Sequence, residues 1–295
     1  MKKNILRIFL FFIISIISFS ASFRISDLNV EAKLQKDGSM LVSEAVTYSI
    51  DEINGVYFDI DAKGYGGINS LQVFEDNGIN ENNEISFKKV DSANYEVTEN
   101  DGVYRIKLYS KNYNNIRTFK FVYTLPDAIK VYDDVAQLNR KMVGQDWQKG
   151  IFTIKVTIEI PVSKNYDNSK ILVFGHGPLT GEVDKIDNTV VYKLEDYYPG
   201  DFLEAHILME PEIFSEFDKS KIIHVNMKQE LLDMEARLAN EANTERNRAI
   251  KIKKGMQILS NNPKTILGAE ASIWAVLMYY IHIVFKRKIN LEIKK

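Results

Sequence analysis

Residues 28–50 read LNVEAKLQKDGSMLVSEAVTYSI. Leu28, Val30, Ala32 and Leu34 fall on one face of an extended chain. Lys36-Asp37-Gly38-Ser39 then supplies a turn, and Val42, Val46, Tyr48 and Ile50 return on one face of a second run. Successive side chains of a strand point to opposite faces, so this period of two marks two half-buried strands. An Asp-Gly step between alternating runs is a strong hairpin signal.

The same pattern continues along the chain. Val56, Phe58 and Ile60 alternate after Asn54-Gly55, and Tyr104, Ile106 and Leu108 after Asp101-Gly102. Phe119, Phe121, Tyr123 and Leu125 form another set, as do Phe152, Ile154, Val156, Ile158 and Ile160. Val190-Tyr192-Leu194 and Leu203-Ala205-Ile207-Met209 close the series. Short alternating strands separated by turns predict a mainly β protein, an antiparallel β-sandwich over residues 23–212. One stretch resists. In Val131–Gly150, Val135, Leu138 and Met142 have helical spacing, which predicts a short helix or a structured crossover. It divides Phe23–Leu125 from Ile151–Glu210, so two packed β subdomains are a variant of the same expectation.

Apolar segments flank this body. Lys2, Lys3 and Arg7 precede an apolar core from Ile8 to Phe19, and Ser20-Ala21-Ser22 offers a small-residue exit. These are the parts of a secretory signal peptide over residues 1–22, with an uncleaved anchor as the alternative. At the other end, Ile266–Phe285 (ILGAEASIWAVLMYYIHIVF) has the roughly 20 mostly apolar residues that a membrane-crossing helix needs. Residues 263–285 are therefore read as a transmembrane helix, and 286–295, opening on Lys286-Arg287-Lys288, as a short basic cytoplasmic tail. The expected localisation is the cell membrane, single-pass after signal cleavage, with the body outside the cytoplasm. Glu270 and His282 sit near the ends of the span and are read as snorkelling side chains.

Between body and span, residues 213–262 are read as a helical stalk. From Asp218 to Leu259, Gly255 is the sole glycine or proline. Met227, Leu231, Met234 and Leu238 make one apolar stripe, and Ile252, Met256 and Leu259 a second. Glu241–Arg248 between them is polar almost all round. Self-association through the 219–259 helix is the sharper reading of these stripes, a solvated stalk the plainer one.

Composition narrows the function. A net charge of -2 and a pI near 6.2 carry no basic excess, which argues against nucleic acid as a partner. There are no cysteines, which excludes disulfides, a lipidated cysteine, thiolate metal sites and a cysteine nucleophile. No phosphate-binding loop, G-x-S-x-G elbow or H-E-x-x-H helix occurs. The candidate functional turn is Gly175-His176-Gly177-Pro178. Its histidine can act as acid, base or ligand near neutral pH, and its glycines would let backbone and ligand approach. Against a metal, no second histidine sits at ligand spacing. His206 is out of phase with Ala205 and Ile207 and is read as solvent-facing, and His224 as part of the stalk. Asp59 with Asp61, and Asp133 with Asp134, are candidate carboxylate pairs for a glycosidase or calcium, with solvated loop charge as the plainer reading. A subset of Tyr104, Tyr109, Tyr113, Tyr123, Tyr197 and Tyr198 on one face could make a binding patch. No catalytic residue, metal or cofactor is expected.

Several motifs recur in a fixed order: Asp37-Gly38-Ser39 with Val42-x-Glu44, Gly55-Val56-Tyr57-x-Asp59-Ile60, and Arg117-Thr118-Phe119. Asp134-Val135-Ala136-x-Leu138, Val143-Gly144-x-x-Trp147 and Gly175-His176-Gly177-Pro178-Leu179-x-Gly181 follow. The ordered set resembles the YciQ-like predicted membrane proteins of bacteria, whose exported part is a domain of unknown function (DUF2207). The resemblance implies a signal peptide, an exported β domain and a membrane anchor, and it carries over no catalytic residue. This chain departs from the family pattern at Asn139-Arg140, where aromatic residues are common. It also stops shortly after Phe285, where relatives continue with further spans and a cytoplasmic half. The expected function is a membrane-anchored extracytoplasmic binding module of the cell envelope. Its expected partners are the lipid bilayer and an envelope protein or polysaccharide. The alternatives are an exported hydrolase using His176 with nearby carboxylates, and a truncated part of a larger membrane protein.

Overall fold

A computed structural model describes residues 22–163 and 165–260. The signal-like segment and the apolar run 266–285 lie outside the described residues. Among those described, no helix is long and apolar enough to cross a membrane.

β1 (Ser22–Leu34) and β2 (Met40–Asp61) form the expected hairpin, with Leu34 opposite Met40. The turn is closed locally. The Asp37 carboxylate accepts from the Ser39 amide at 2.9 Å and hydroxyl at 2.7 Å, and Gly38 takes a φ of +85° that a side chain would disfavour. β6 (Val103–Leu125) runs along β2 from Leu125 opposite Met40 to Val103 opposite Asp61. A register shift between Ile53 and Gly55 lets Val56, Phe58 and Ile60 continue inward beyond it. Gly55 is required there, since a Cβ would stand 2.2 Å from the Leu108 carbonyl oxygen. β6 has two neighbours in succession, β3 (Asn69–Ile79) beside Phe119–Thr124 and β5 (Tyr95–Asn100) beside Val103–Leu108. β4 (Ile85–Lys89) borders β3.

The other flank of β1 is occupied by β9 (Ile151–Glu159), and this pairing is parallel, from Ile25–Ile151 to Lys33–Glu159. β12 (Thr189–Tyr197) and β11 (Glu182–Ile186) extend the sheet antiparallel, giving the order β11-β12-β9-β1-β2-β6-β3-β4, with β5 also on β6. The protein is thus mainly β, but the large sheet is mixed, not purely antiparallel as expected. The two halves of the sequence meet as neighbouring strands of one sheet, so they are not separate subdomains. Within β9 it is Ile151 that is buried, while Phe152, expected inside, is 67% exposed. This coincides with a register shift of β1 between Ile25 and Asp27.

A second, antiparallel sheet has the order β10-β13-β8-β7. Its strands are β10 (Leu172–His176), β13 (Leu203–Met209), β8 (Ala136–Val143) and β7 (Ile129–Val131). Residues 131–150, expected as a short helix or a structured crossover, hold the last residue of β7 and the whole of β8 and contain no helix. β8 buries Ala136, Gln137 and Leu138 in succession, then Arg140, Met142 and Val143. A strand covered on both faces loses the alternation that identifies it in sequence.

The helix starts later than expected. Residues 211–227 form two short 3-10 turns and an extended run in which Ile223 bridges to Tyr132 and its amide donates to the Val131 carbonyl at 2.9 Å. The β-branched Ile222, Ile223 and Val225 favour that extended course. α1 (Lys228–Ser260) begins where the Asp134 carboxylate accepts from the Met227 amide at 2.8 Å and the Lys228 amide at 3.2 Å, satisfying donors at the helix start. The chain divides into two compact units, 1–232 and 233–295. In the second, every described side chain from Asn243 to Ile252 is exposed, in keeping with the polar gap in the sequence.

The inner faces of the two sheets share one core, which includes Leu28, Val30, Phe119 and Phe121 of the large sheet and Leu138, Ala205 and Ile207 of the small one. Two charged groups lie within it. Glu44 is 8% and Arg140 7% exposed. The Tyr123 hydroxyl donates to the Glu44 carboxylate, and Arg140 donates to the Asp61 carbonyl at 3.0 Å with its guanidinium over the Tyr65 ring. Burial pushes the Glu44 carboxyl up, and the Tyr123 hydrogen bond and the Arg140 charge pull it back only in part. Glu44→Leu leaves the Arg140 charge buried without its counter-charge, so chemical denaturation should show a loss of about 3 kcal/mol that Arg140→Met on the same chain largely restores. A raised carboxyl binds its proton more tightly folded than unfolded. Glu44 should therefore make stability fall as pH rises from the unfolded value of 4.5 through the folded one, and Glu44→Gln should flatten that slope.

Candidate functional site

The Gly175–Pro178 turn leaves the end of β10, whose sequence is LVFGH. β10 pairs with β13 so that Leu172 faces Leu208, Phe174 faces His206 and His176 faces Glu204. Directly opposite residues share a sheet face. His176 Nδ1 and Glu204 Oε1 accordingly meet at 2.8 Å, with side chains 19% and 20% exposed. The His176 hydrogen bond holds the Glu204 carboxyl below its ordinary value, against the opposing effect of burial.

His206 is fully buried, contrary to the solvent-facing position expected from its phase. Its Nε2 lies 2.8 Å from the Gln137 amide nitrogen, its ring 5.8 Å from that of Phe174 and 6.1 Å from that of His176. β13 is almost wholly buried, so alternation could not separate its faces. A second histidine therefore stands beside His176 that linear spacing could not reveal, brought there across thirty residues by strand pairing. A ring nitrogen of each lies within 4.8 Å of the other.

The glycines of the turn have structural tasks. Gly177 adopts a φ of +149°, and a Cβ there would stand 2.3 Å from the Phe202 carbonyl oxygen, so the close approach is to the chain's own backbone. A Cβ on Gly175 would lie 3.2 Å from the Tyr192 ring, whose hydroxyl donates to the Phe174 carbonyl at 2.9 Å. The Gly181 amide donates to the Pro178 carbonyl at 2.9 Å and closes the turn.

The other candidates disperse. Asp59 forms a two-pronged pair with Arg105 at 2.8 and 2.7 Å, and Asp61 accepts from the Lys63 amide at 3.0 Å. Asp134 caps α1 while Asp133 meets His224 at 2.9 Å, ahead of the helix rather than within a stalk. Tyr123 and Tyr197 are core residues and Tyr104 packs against the core. Tyr109 and Tyr198, both exposed, stand on β6 and just past β12, three strands apart.

A feature not anticipated from sequence lies beside β10. Between this edge of the small sheet and β11, the edge of the large one, runs a groove of about 370 Å³ lined by Leu172, Val173, Phe174 and Val183, with Lys185 and Ser169 at its polar side. Ile171 beneath it is fully buried. Lys185 Nζ donates to the Ile171 carbonyl at 2.7 Å and also to the Asn168 carbonyl, which pins the turn before β10 to β11. The Asn168 Oδ1 atom on that turn is buried and has no donor.

Comparison with known proteins sets this architecture in context. No curated protein sequence matches the chain. Among solved structures, a Parabacteroides distasonis protein described provisionally as a protease aligns over 63% of this chain and 41% of its own, at 8% identity and a TM-score of 0.40. The M1 zinc metallopeptidase of Deinococcus radiodurans aligns over 63% of this chain and 42% of its own, at 7% identity and 0.32. Leukotriene A4 hydrolase of Saccharomyces cerevisiae aligns over 62% and 29%, at 8% and 0.38. The chain thus spans about two fifths of the length of the first structures it matches. Residues 24–209, from the start of β1 to the end of β13, match the model described as "Predicted membrane protein (DUF2207) N-terminal domain", and the chain belongs to that family.

Proposed function

We propose that the chain is a membrane-anchored, extracytoplasmic binding module of the cell envelope. The groove between β10 and β11 carries this reading. It is apolar, open, and bounded by two strands that each lack a partner on that side. The outer face of the large sheet carries Glu31, Lys33, Ser43, Thr47, Lys155 and Lys193, with Leu41 exposed beside Lys33. Ligand sites in general are concave and mostly apolar with a few placed polar groups. The flanking apolar segments of the sequence and the family's description as membrane proteins support the anchoring.

The hydrolase alternative has the carboxylate within reach of His176 that it requires. Glu204 and His176 engage each other across the strands. In this reading the pair fixes β10 on β13.

Three measurements follow. A carboxylate held below its unfolded pKa contributes stability that is complete above that value and lost as pH falls through the folded one. Glu204→Gln should cost about 1 kcal/mol at neutral pH and should lose less stability than the parent below the ordinary carboxylate value of 4.5. Separately, photo-crosslinking from Val183 in intact membranes should yield adducts with an envelope component, whereas the same probe at Lys155 on the outer sheet face should yield none. Protease added to intact spheroplasts should digest the β body. Survival of the body alongside cytosolic markers would end the topological reading.

A further inference from the structure

Resting on the binding reading above, we infer that the β10 groove takes an extended apolar polypeptide segment, which pairs with β10 as a fifth strand of the small sheet. Five strands form edges, β4, β5 and β11 of the large sheet and β7 and β10 of the small one, and an edge presents unpaired backbone groups that natural proteins blunt with charge, shortness or cover. Four of the five are blunted here. β5 carries exposed Glu96 and Glu99. β4 ends on exposed Lys88-Lys89. β11 carries exposed Glu182, Asp184 and Lys185. β7 has three residues, with Lys130 at its centre, and the chain after it is covered where Tyr132 bridges to Ile223. β10 alone, Leu172-Val173-Phe174-Gly175-His176, bears no lysine, carboxylate, proline or bulge.

The chemistry of this edge selects its occupant. β10 is laddered to β13 on one side only, so half of its amide and carbonyl groups face away from the sheet, and of its carbonyls that of Phe174 already accepts from the Tyr192 hydroxyl at 2.9 Å. Donors and acceptors alternating at about 3.3 Å per residue are matched by another extended polypeptide. The apolar walls accept every second side chain of such a strand, and backbone pairing with alternating pockets is how strand addition works. The volume is at the lower end of the roughly 300–1,000 Å³ usual for ligand sites.

The test pans a displayed random decapeptide library against the full chain in detergent micelles, then measures binding of the enriched sequence as a synthetic peptide. Enriched sequences should carry apolar residues at alternate positions. Methylating backbone nitrogens of the peptide one at a time should weaken binding about tenfold at every second residue and little at those between. Leu172→Lys and Val173→Pro should each weaken binding by about as much, with thermal melting as the check on folding. Should Val173→Pro not fold, the methylation series and Leu172→Lys decide. An enriched peptide that binds without the alternating methylation pattern overturns strand addition and leaves the binding module standing. Dimers that Leu172→Lys converts to monomers would assign the edge to a second copy and overturn the inference. No enrichment overturns it as well, and coupled with no adduct from Val183 it removes the binding reading too.

Discussion

The parallel contact between β1 and β9 is the constraint on which the architecture rests. Parallel neighbours cannot be joined by a tight turn and need a crossover. Here the connection is everything from Gln35 to Gly150, which contains β2 to β8. β1 must therefore be flanked by the strand next to it in sequence and by one more than a hundred residues away. Its Val30 then lies between Glu44 of β2 and Val156 of β9, and Lys33 pairs with Glu159 across the parallel seam at 3.2 Å. Without this pairing the chain would be two β units, each with an additional open edge. With it, one core serves the whole of residues 24–209.

Apolar packing between two sheets resists separation more than it resists sliding, because the hydrophobic effect is not directional. Direction is supplied by polar groups. Arg140 of the small sheet reaches the Asp61 carbonyl, and Tyr65 the Asn139 carbonyl at 2.9 Å. Tyr192 and Tyr197 of β12 reach the carbonyls of Phe174 and Gly144, each at 2.9 Å. These bonds lie at different places along the interface, so a shift of one sheet over the other would break several at once. The Glu44–Tyr123 pair near Arg140 adds charge complementarity, at the desolvation cost visible in the raised Glu44 carboxyl.

What could be read from sequence follows from which strands are wet on one face. β1, β2 and β9 present Asn29, Glu31, Ser43, Thr47 and Lys155 to solvent and core residues inward, and their alternation was legible. β8 is buried on both faces at its two ends and β13 almost throughout, and they carry Gln137, Arg140 and His206 inside, so the same rule pointed to a helix for one and to solvent for a buried histidine of the other. The His176 turn was identified, but its partner Glu204, twenty-eight residues away, required the β10–β13 register. The groove was not legible at all. It arises where edges of two different sheets approach, and no local pattern in LVFGH or EVDKI encodes that approach. The parallel pairing was hidden for a similar reason, since β1 and β9 each read as an ordinary alternating strand.

The edge strand itself is held more firmly than five residues on a sheet margin would otherwise be. At its end, His176 is hydrogen-bonded to Glu204; in its middle, Tyr192 donates to the Phe174 carbonyl; before its start, Lys185 clamps the Ile171 and Asn168 carbonyls. Fixing a backbone residue costs on the order of 1–2 kcal/mol of conformational entropy, and a template ordered in advance spares binding that cost on its own side. These contacts join side chains of β11, β12 and β13 to one short strand. None of the other four edges is described with comparable side-chain anchoring of its backbone carbonyls. β4 and β11 are blunted by charge, while β10 is uncharged and anchored, the combination on which the inferred strand addition rests.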